Sequence, residues 1–164
     1  MKARLFDILC SKTTLLNAWK SIKQKGASGG IDGVCISQFE SDLGGNLSAL
    51  ADELHSKVWT PQPYLRISIA KNDNEKRNLG LLSVKDKVVQ QAIKTLIEPR
   101  FEKSFVFNSF GYRPNKGHTK AVKYARCCCQ SKKTPYLLRL DIDNYFDNIR
   151  SCLNFIEKSC YISA

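Results

Sequence analysis

The segment YLLRLDIDNYFDNI, residues 136–149, decides the fold prediction because an apolar run within it gives way to three aspartates. A nearly continuous apolar run is typical of a strand that is buried on both faces. Catalytic groups often lie where such a strand emerges at its carboxyl end, which is the position of Asp141. We therefore predict a strand over residues 136–142 that ends at this carboxylate.

A carboxylate at the end of a buried strand needs a cation, since burial of an unpaired charge is costly. Mg²⁺ takes oxygen ligands and is usually held by one or two carboxylates together with substrate phosphates. Asp141 is therefore a candidate metal ligand. Asp143 and Asp147 are equally compatible with exposed positions at the start of a helix, where the helix dipole favours acidic side chains.

The charge of the chain favours a polyanionic partner. Lys and Arg number 26 against 15 Asp and Glu, which gives a formal net charge of +11. Fixed positive charge attracts phosphates and releases their counterions, so nucleic acid is the favoured partner, although a basic solvated surface is the plain alternative. The sequence contains no apolar run of about 18 residues, so we predict no membrane span.

The cysteines and the first residues indicate a cytoplasmic protein. Seven cysteines include the consecutive Cys127, Cys128 and Cys129, and no C-x-x-C pair is present to suggest a zinc site. We predict reduced, mostly structural thiols. The first residues, MKARLFDILCSKTT, are a poor signal peptide because Asp7 interrupts a short apolar stretch.

Apolar periodicity predicts two helices in the first third of the chain. The spacing of Leu15, Leu16, Trp19 and Ile22 predicts a helix over residues 13–25. The glycine-rich segment GASGGIDG ends it. Ser37 is the predicted N-cap of a second helix that reaches residue 56, with a kink or break near Gly44 and Gly45.

Residues 64–82 read as a β-hairpin with a basic tip. Leu65, Ile67 and Ile69 alternate with polar residues, which predicts a half-buried strand. KNDNEKRN, residues 71–78, is predicted to be a polar turn, and residues 79–82 to be the returning strand.

The hairpin is followed by two further helices. Ser83 and Asp86 have the spacing of a capping box, and the helix after them is predicted to end near Pro99. NSFGYRPNKG, residues 108–117, is a loop by composition, and residues 118–130 are predicted to be helical.

Four blocks of the sequence, in order, resemble the N-terminal half of bacterial reverse transcriptases of the group II intron-encoded and retron-like type. They are GASGGIDGVCISQFE (26–40), KRNLGLLSVKDKVVQQAIKTLIEPRFE (76–102), NSFGYRPNKGHTKAV (108–122) and LRLDIDNYFDNI (138–149). The third contains the G-[FY]-R-P signature, and the fourth resembles motif A of the palm. The resemblance implies an α+β fold with reverse transcriptase fingers and a partial palm, an incomplete right-hand polymerase fold. Residues 1–130 would form the N-terminal extension and fingers, and residues 131–164 the start of the palm.

The resemblance also implies roles for residues near the fourth block. Asp141 and the carbonyl group of Ile142 would hold Mg²⁺ in the complete enzyme. Tyr145 matches the aromatic residue that lies under the nucleotide sugar, where a flat ring would collide with a 2′-hydroxyl and select dNTP. Ordinary core packing is the alternative for this tyrosine.

In the hairpin, Lys71 and Arg77 match finger residues that contact the incoming triphosphate in the family. A solvated basic turn is the alternative, and Arg66 is a weaker candidate.

Nucleic-acid contacts are implied for several further residues. Arg113 and Lys116 are candidates for contacts with the template or primer backbone. Gly29, Gly30 and Gly33 would let a phosphate approach the main chain closely, although turn chemistry explains such glycines as well.

The sequence departs from the family most clearly near its end. The palm of a reverse transcriptase needs a later [YF]-x-D-D motif, and these 164 residues contain no Asp-Asp pair. LGLLSV also stands where the family usually has an Ile-Pro. We therefore expect a truncated chain that does not polymerise alone and that either dimerises or rearranges to cover its apolar surface.

The favoured function is the N-terminal part of an RNA-directed DNA polymerase. Its partners would be an RNA template, a DNA primer and dNTP, with intron RNA as a further candidate. A non-catalytic, maturase-like RNA-binding fragment is the alternative. A metal-dependent nuclease or phosphatase is supported by the aspartates alone.

Overall fold

The computed structural model describes residues 4–72, 75–130, 136 and 138–142, with residues 71, 72 and 75–78 described by their backbone. The chain divides into two compact units, one within Met1–Val106 and the other within Phe107–Ala164. Helices and a hairpin occur in the first unit, and a helix and irregular segments are described in the second. This mixture agrees with the α+β class. The predicted boundary after residue 130 stays a prediction.

Four helices form the first part of the first unit: α1 (Leu5–Leu9), α2 (Lys12–Gln24), α3 (Ile36–Ser41) and α4 (Leu43–His55). Helix α2 confirms the predicted helix, and Ser11 caps it by accepting a hydrogen bond from the Thr14 amide at 3.3 Å. Helix α1 was not predicted, since a helix of five residues leaves little periodicity to detect. No helix within the described ranges is long and apolar enough to cross a bilayer.

The predicted N-cap at Ser37 is wrong, because the cap is Cys35 and α3 therefore begins two residues earlier than predicted. The Cys35 amide donates to the Gln38 Oε1 atom at 2.8 Å, which satisfies a donor at the helix start. The predicted break in the second helix is confirmed, but it lies at Asp42. This residue ends α3 and caps α4 by accepting a hydrogen bond from the Gly45 amide at 3.1 Å.

The core of the first unit lies where α2 packs against α4 and α5. Trp19 of α2 is almost fully buried and its ring lies 5.1 Å from the ring of Phe39, measured between centroids. Burial of such aromatic and aliphatic side chains is the main stabilising contribution to a fold of this size. The other buried apolar residues are Cys10, Leu15, Ala18, Ile22, Leu47, Leu50, Ala51, Leu54, Val84, Val88, Val89 and Ala92.

The hairpin consists of β1 (Leu65–Asn72) and β2 (Glu75–Leu81), which pair antiparallel with Leu65 opposite Leu81. The predicted turn of eight residues is wrong, because β2 begins at Glu75 and most of the polar segment is strand. The predicted half-burial holds for Ile67, which is partly buried, but not for Leu65 and Ile69, which are 39% and 41% exposed. In an exposed strand pair, polar residues are as acceptable as apolar ones, so alternation marks such a strand poorly.

Helix α5 (Val84–Phe101) begins as predicted, with the Ser83 hydroxyl accepting a hydrogen bond from the Asp86 amide at 3.1 Å. The predicted end near Pro99 is confirmed to within two residues, since α5 ends at Phe101 and the proline lies inside the last turn. Proline removes one amide donor, but Glu102 still donates to the Glu98 carbonyl at 2.8 Å and the helical backbone continues.

In the second unit, α6 (His118–Gln130) confirms the predicted helix. The predicted strand over residues 136–142 is wrong where the structure describes it: residues 136 and 138–142 are not in a strand. Leu138, Leu140 and Ile142 are 78%, 82% and 70% exposed. A strand is stabilised by pairing with a neighbour, and the described pairing is confined to β1 and β2.

The prediction of mostly structural thiols is also wrong for the cysteines that the structure describes. None of these five forms a disulfide, and only Cys10 is buried in the core. Cys35, Cys127 and Cys129 are exposed, and Cys128 is partly exposed. In α6, consecutive positions point in different directions around the helix, so three neighbouring cysteines cannot share one buried face.

Candidate nucleotide and nucleic-acid site

Two of the predicted nucleotide-binding residues lie on neighbouring strands of the hairpin. Arg77 of β2 stands opposite Ile69 of β1. Lys71 follows two residues after Ile69, where the register shifts between Ala70 and Asn72. An irregularity of this kind twists a strand locally and often occurs beside functional sites. The backbone therefore brings the two basic residues to the same part of the hairpin, near its turn.

The root of the hairpin is held by close backbone packing at Gly30. This glycine is buried, and a Cβ atom placed on it would lie 2.4 Å from the Ser83 amide nitrogen and 2.6 Å from the Leu82 carbonyl oxygen. Leu82 and Ser83 join β2 to α5. The absence of a side chain at residue 30 thus lets the glycine-rich loop pack directly on the strand–helix junction.

The incoming end of the hairpin is tied to α5 by Asp86. This side chain is only 3% exposed, and its Oδ2 atom accepts a hydrogen bond from the Gln62 amide at 3.0 Å. Gln62 lies between Pro61 and Pro63, which have no amide hydrogen. Asp86 therefore accepts a hydrogen bond from the single backbone donor among these three residues. The predicted capping box is not completed, because the Asp86 side chain does not accept a hydrogen bond from the Ser83 amide.

The loop that contains the G-Y-R-P signature is organised by its own basic and aromatic side chains. Arg113 donates from its Nη1 atom to the Ser109 carbonyl at 2.9 Å, and the Lys116 ammonium donates to the Phe107 carbonyl. The same ammonium group lies 4.6 Å from the centre of the Phe107 ring and 5.5 Å from that of Phe110. Such cation–π contacts stabilise a loop conformation. Both basic residues, which were predicted to bind nucleic acid, thus help to shape the loop.

The remaining predicted nucleic-acid contacts lie in the first unit. Arg66 is exposed on β1. Gly33 is exposed and has a φ of +68°, which a glycine adopts without strain. Gly29 packs against the Val34 carbonyl, where an added Cβ atom would approach to 2.8 Å. Local backbone packing thus explains Gly29 and Gly30, and contact of the three glycines with phosphate stays a prediction.

The predicted metal ligands lie in the second unit. Asp141 and Ile142 are both exposed, so the carboxylate and the neighbouring carbonyl are accessible. Among the residues that the structure describes, no three His, Cys, Asp or Glu side chains are grouped as a metal site would require. A single accessible carboxylate fits one part of a Mg²⁺ site that substrate phosphates would complete. Tyr145 lies outside the described residues.

Comparison with known families agrees with the last three of the four sequence blocks, which lie within the matched residues. A sequence profile for the family described as "Reverse transcriptase (RNA-dependent DNA polymerase)" matches residues 69–159, more than half of the chain. The chain belongs to the reverse transcriptase family. The matched residues begin within β1 and include the rest of the hairpin, α5, the signature loop and α6. The predicted family is therefore confirmed.

Several curated proteins are similar to this reverse transcriptase chain. Protein YkfC of Escherichia coli (strain K12) is 32% identical over 151 residues, which cover 89% of this chain and 40% of YkfC. The group II intron-encoded protein LtrA of Lactococcus lactis subsp. cremoris is 30% identical over 104 residues, covering 63% of this chain and 17% of LtrA. The putative COX1/OXI3 intron 2 protein of Saccharomyces cerevisiae is 24% identical over 156 residues, covering 91% and 17%. The chain thus spans less than half the length of each.

Sequence reasoning missed two structural features close to the candidate site residues. The tie between Asp86 and Gln62 could have been suspected, because a donor between two prolines needs an acceptor from elsewhere. The aromatic cluster of the signature loop was also missed. Tyr124 of α6 packs on Phe110, with ring centroids 5.6 Å apart. The position of Tyr124 on the apolar face of the predicted helix was the sequence signal that could have indicated this contact.

Two titratable groups near these features have shifted pKa values. Burial lowers the pKa of the Lys87 ammonium, and the nearby Asp32 carboxylate partly opposes this shift. The pKa of the Tyr124 hydroxyl is raised by charge repulsion from Cys128 and by a hydrogen bond with the same thiol. The raised pKa favours the neutral, protonated form of the Tyr124 hydroxyl.

Cys35 is expected to react with thiol reagents faster than Cys10. A hydrogen bond with the Ser37 hydroxyl, followed by one from the Gln38 backbone, lowers the pKa of Cys35, whereas burial raises the pKa of Cys10. A lower pKa increases the thiolate fraction at neutral pH, and the thiolate is the reactive species. Peptide mapping after brief N-ethylmaleimide treatment should show a labelling rate at least about tenfold higher for Cys35.

The Ser37→Ala variant provides the control for this prediction. Loss of the hydroxyl raises the pKa of Cys35, so labelling of Cys35 should slow while labelling of Cys10 stays unchanged. Equal labelling rates of Cys35 and Cys10 in the unmodified chain would contradict the described cap.

Proposed function

We propose that the chain supplies the fingers of an RNA-directed DNA polymerase, with the hairpin binding the triphosphate of an incoming dNTP. Family membership together with the position of Lys71 and Arg77 on adjacent strands carries this proposal. Lysine offers a mobile positive charge, and arginine offers a planar pair of donors that fits phosphate oxygens. A hairpin near its turn is also suited to close over a bound nucleotide.

The rigid root of the hairpin supports this role. Gly30 packs on the Leu82–Ser83 junction, and Asp86 holds the Gln62 amide, so both ends of the hairpin are anchored to the helical core. A basic strand pair that extends from a fixed base can reach a ligand without moving the core. Binding sites are commonly built this way, with mobile segments positioned by a rigid scaffold.

The metal site of the proposed polymerase would include Asp141 and the carbonyl group of Ile142, with Mg²⁺ as the ion. When bound, the ion would stabilise charge on the phosphates during nucleotidyl transfer. Asp141 is exposed and is a hard oxygen donor, which suits this ion. Tyr145 would contact the sugar and favour dNTP over rNTP.

The template and primer would contact basic residues outside the hairpin tip. Arg66 is exposed on β1, and Arg113 and Lys116 lie in the signature loop. An RNA–DNA duplex is recognised through its shape and phosphates, so such contacts need no base specificity. The glycines Gly29, Gly30 and Gly33 complete the proposed set.

The proposal is tested by measuring the affinity of the chain for an RNA template–DNA primer duplex at several salt concentrations. The logarithm of the affinity should fall linearly with the logarithm of salt concentration, because bound phosphates release counterions. Arg66→Ala should reduce the slope by about one, and the exposed Lys20→Ala variant on α2 should leave it unchanged. A salt-independent affinity, or an equal effect of the two variants, would contradict the proposed contacts.

We further propose that these 164 residues alone do not extend a primer, since the sequence contains no Asp-Asp pair to complete a two-metal site. Primer extension with Mg²⁺ and dNTP should give no product beyond background. Incorporation of nucleotides would refute this part of the proposal while leaving the binding part intact. Binding without extension also agrees with a non-catalytic RNA-binding role, which the net charge of +11 favours, and intron RNA is the natural competitor to include.

A further inference from the structure

The proposed polymerase function does not use one surface of the first unit, a groove formed by α2, α5 and the loop after α2. The groove is open to solvent and has a volume of about 450 Å³. Its lining combines aliphatic and basic or amide side chains: Ile22, Ala27, Ile93, Ile97, Lys25, Lys87, Lys94, Gln90 and Gln91. An open groove along a helix suits an elongated ligand better than a small enclosed molecule.

The apolar part of the groove belongs to a longer row on α5. Ile93, Ile97 and Phe101 are spaced four residues apart and are 37%, 39% and 58% exposed. Side chains at this spacing lie on the same face of a helix. The row extends about 12 Å along the helix, slightly more than two turns. Amphipathic helices commonly bind to other proteins through apolar side chains arranged in such a row.

The rim of the groove carries lysines whose hydrogen-bond partners are neutral, with the Asp32 carboxylate as a charged neighbour of Lys87. The Lys25 ammonium donates to the Gln91 Oε1 atom at 3.1 Å, and the Lys87 ammonium donates to the Ser28 carbonyl. A neutral oxygen satisfies a donor but does not cancel the charge of the lysine. Lys94 has a carboxylate nearby, the Glu98 Oε1 atom at 3.7 Å, but this pair is solvent-exposed and therefore weak.

We propose that this groove binds an acidic amphipathic helix of a partner protein. Apolar side chains of the partner would pack on Ile93 and Ile97, and its flanking carboxylates would lie against Lys25 and Lys87. Charge complementarity of this kind favours correct encounters and sets the orientation of the helix. The lining of the groove argues against binding of single-stranded RNA. Its residues, all from the described part of the chain, include no aromatic ring on which bases could stack.

The proposal is tested with a synthetic, fluorescently labelled peptide of about 18 residues, which forms about five helical turns. The peptide carries leucine on one face and glutamate on both flanks of that face. A second peptide of identical composition has a shuffled order that removes the amphipathic face, and a labelled single-stranded oligoribonucleotide represents nucleic acid. Fluorescence anisotropy with the full chain should show the amphipathic peptide binding at least about tenfold more tightly than the shuffled one.

Variants then locate the binding surface. Ile97→Asp should weaken binding of the amphipathic peptide about tenfold, and Lys25→Glu about fivefold. Two controls replace exposed residues outside the groove, Lys20→Glu for charge and Val58→Asp for apolar surface, and both should change binding less than about twofold. Circular dichroism verifies that each variant is folded, and Lys25→Glu alone suffices if Ile97→Asp does not fold.

Three results would overturn the proposal. Equal affinity for the amphipathic and shuffled peptides would show that no helix is recognised. Groove variants that weaken binding of the oligoribonucleotide but not of the peptide would assign the surface to RNA. Loss of a concentration-dependent dimer in the Ile97→Asp variant, with no effect on peptide affinity, would assign it to a second copy of the chain.

Discussion

Replacing Gly30 with alanine is expected to destabilise the first unit by about 3 kcal/mol or more, because the added methyl group would overlap the main chain. The new Cβ atom would lie 2.4 Å from the Ser83 nitrogen and 2.6 Å from the Leu82 carbonyl carbon and oxygen. All three are backbone atoms, so a rotamer change cannot relieve the overlap. Either the glycine-rich loop or the junction between β2 and α5 must shift, and the hairpin would lose its fixed base.

The matched control is Gly44→Ala in α4. A Cβ atom at residue 44 would meet nothing within 4 Å, and alanine is the better helix former, so this variant should gain about 0.5 to 1 kcal/mol. Urea denaturation followed by circular dichroism measures both changes as shifts of the unfolding midpoint. Equal midpoints for Gly30→Ala and the unmodified chain would mean that residue 30 does not pack on the junction.

Sequence patterns predicted the helices of this chain well because their signals are local. Leu15, Trp19 and Ile22 recur at helical spacing, and the same side chains are buried in α2. The glycine-rich segment after α2 was recognised as a break for the same reason. What the pattern does not contain is the contact of Gly30 with Leu82, which lies far along the chain and depends on tertiary packing.

The strands show why apolar runs are weaker evidence. Residues 136–142 resemble a buried strand in composition, yet Leu138 and Leu140 are exposed and form no described ladder. A helix satisfies its own backbone donors and acceptors, whereas a strand needs a partner, and no local pattern specifies that partner. In β2 the first part of a strand was missed instead. Glu75 and its polar neighbours suggested a turn, but they pair with β1 in the hairpin.

The candidate site was predictable as a set of residues but not as an arrangement. The motif blocks indicated Lys71 and Arg77, and the backbone register brings them to adjacent strands. The supporting residues were not indicated, because their roles depend on distant partners. Lys116 was indicated only for contact with phosphate, and its position over the Phe107 ring of its own loop was not predicted.

Replacing Asp86 with alanine is expected to cost about 1 to 3 kcal/mol of folding free energy, because it removes the acceptor of a part-buried hydrogen bond from a backbone amide. The Gln62 amide donates to the Asp86 Oδ2 atom at 3.0 Å, and the prolines on either side of Gln62 offer no donor that could replace it. In the variant, the amide would be left without a partner beside the helical core. The segment leading into β1 would then detach from α5.

Asp86→Asn separates the lost hydrogen bond from the lost charge. The amide side chain keeps an oxygen that can accept from Gln62, and its nitrogen would take the position of Oδ1, which has no hydrogen-bond partner within the described residues. This variant should therefore retain at least about half of the stability that alanine loses. The exposed Asp52→Ala variant of α4 should change stability by less than about 0.5 kcal/mol.

Hydrogen exchange at the Gln62 amide provides a local measurement of the same contact. Protection of this amide should fall by about tenfold or more in Asp86→Ala and by much less in Asp86→Asn, since exchange requires the hydrogen bond to open. If the two variants lose protection equally, the charge of Asp86, and not its acceptor atom, holds the segment that leads into β1. If neither variant loses protection, the contact between Asp86 and Gln62 does not anchor the hairpin, and the packing of Gly30 does so alone.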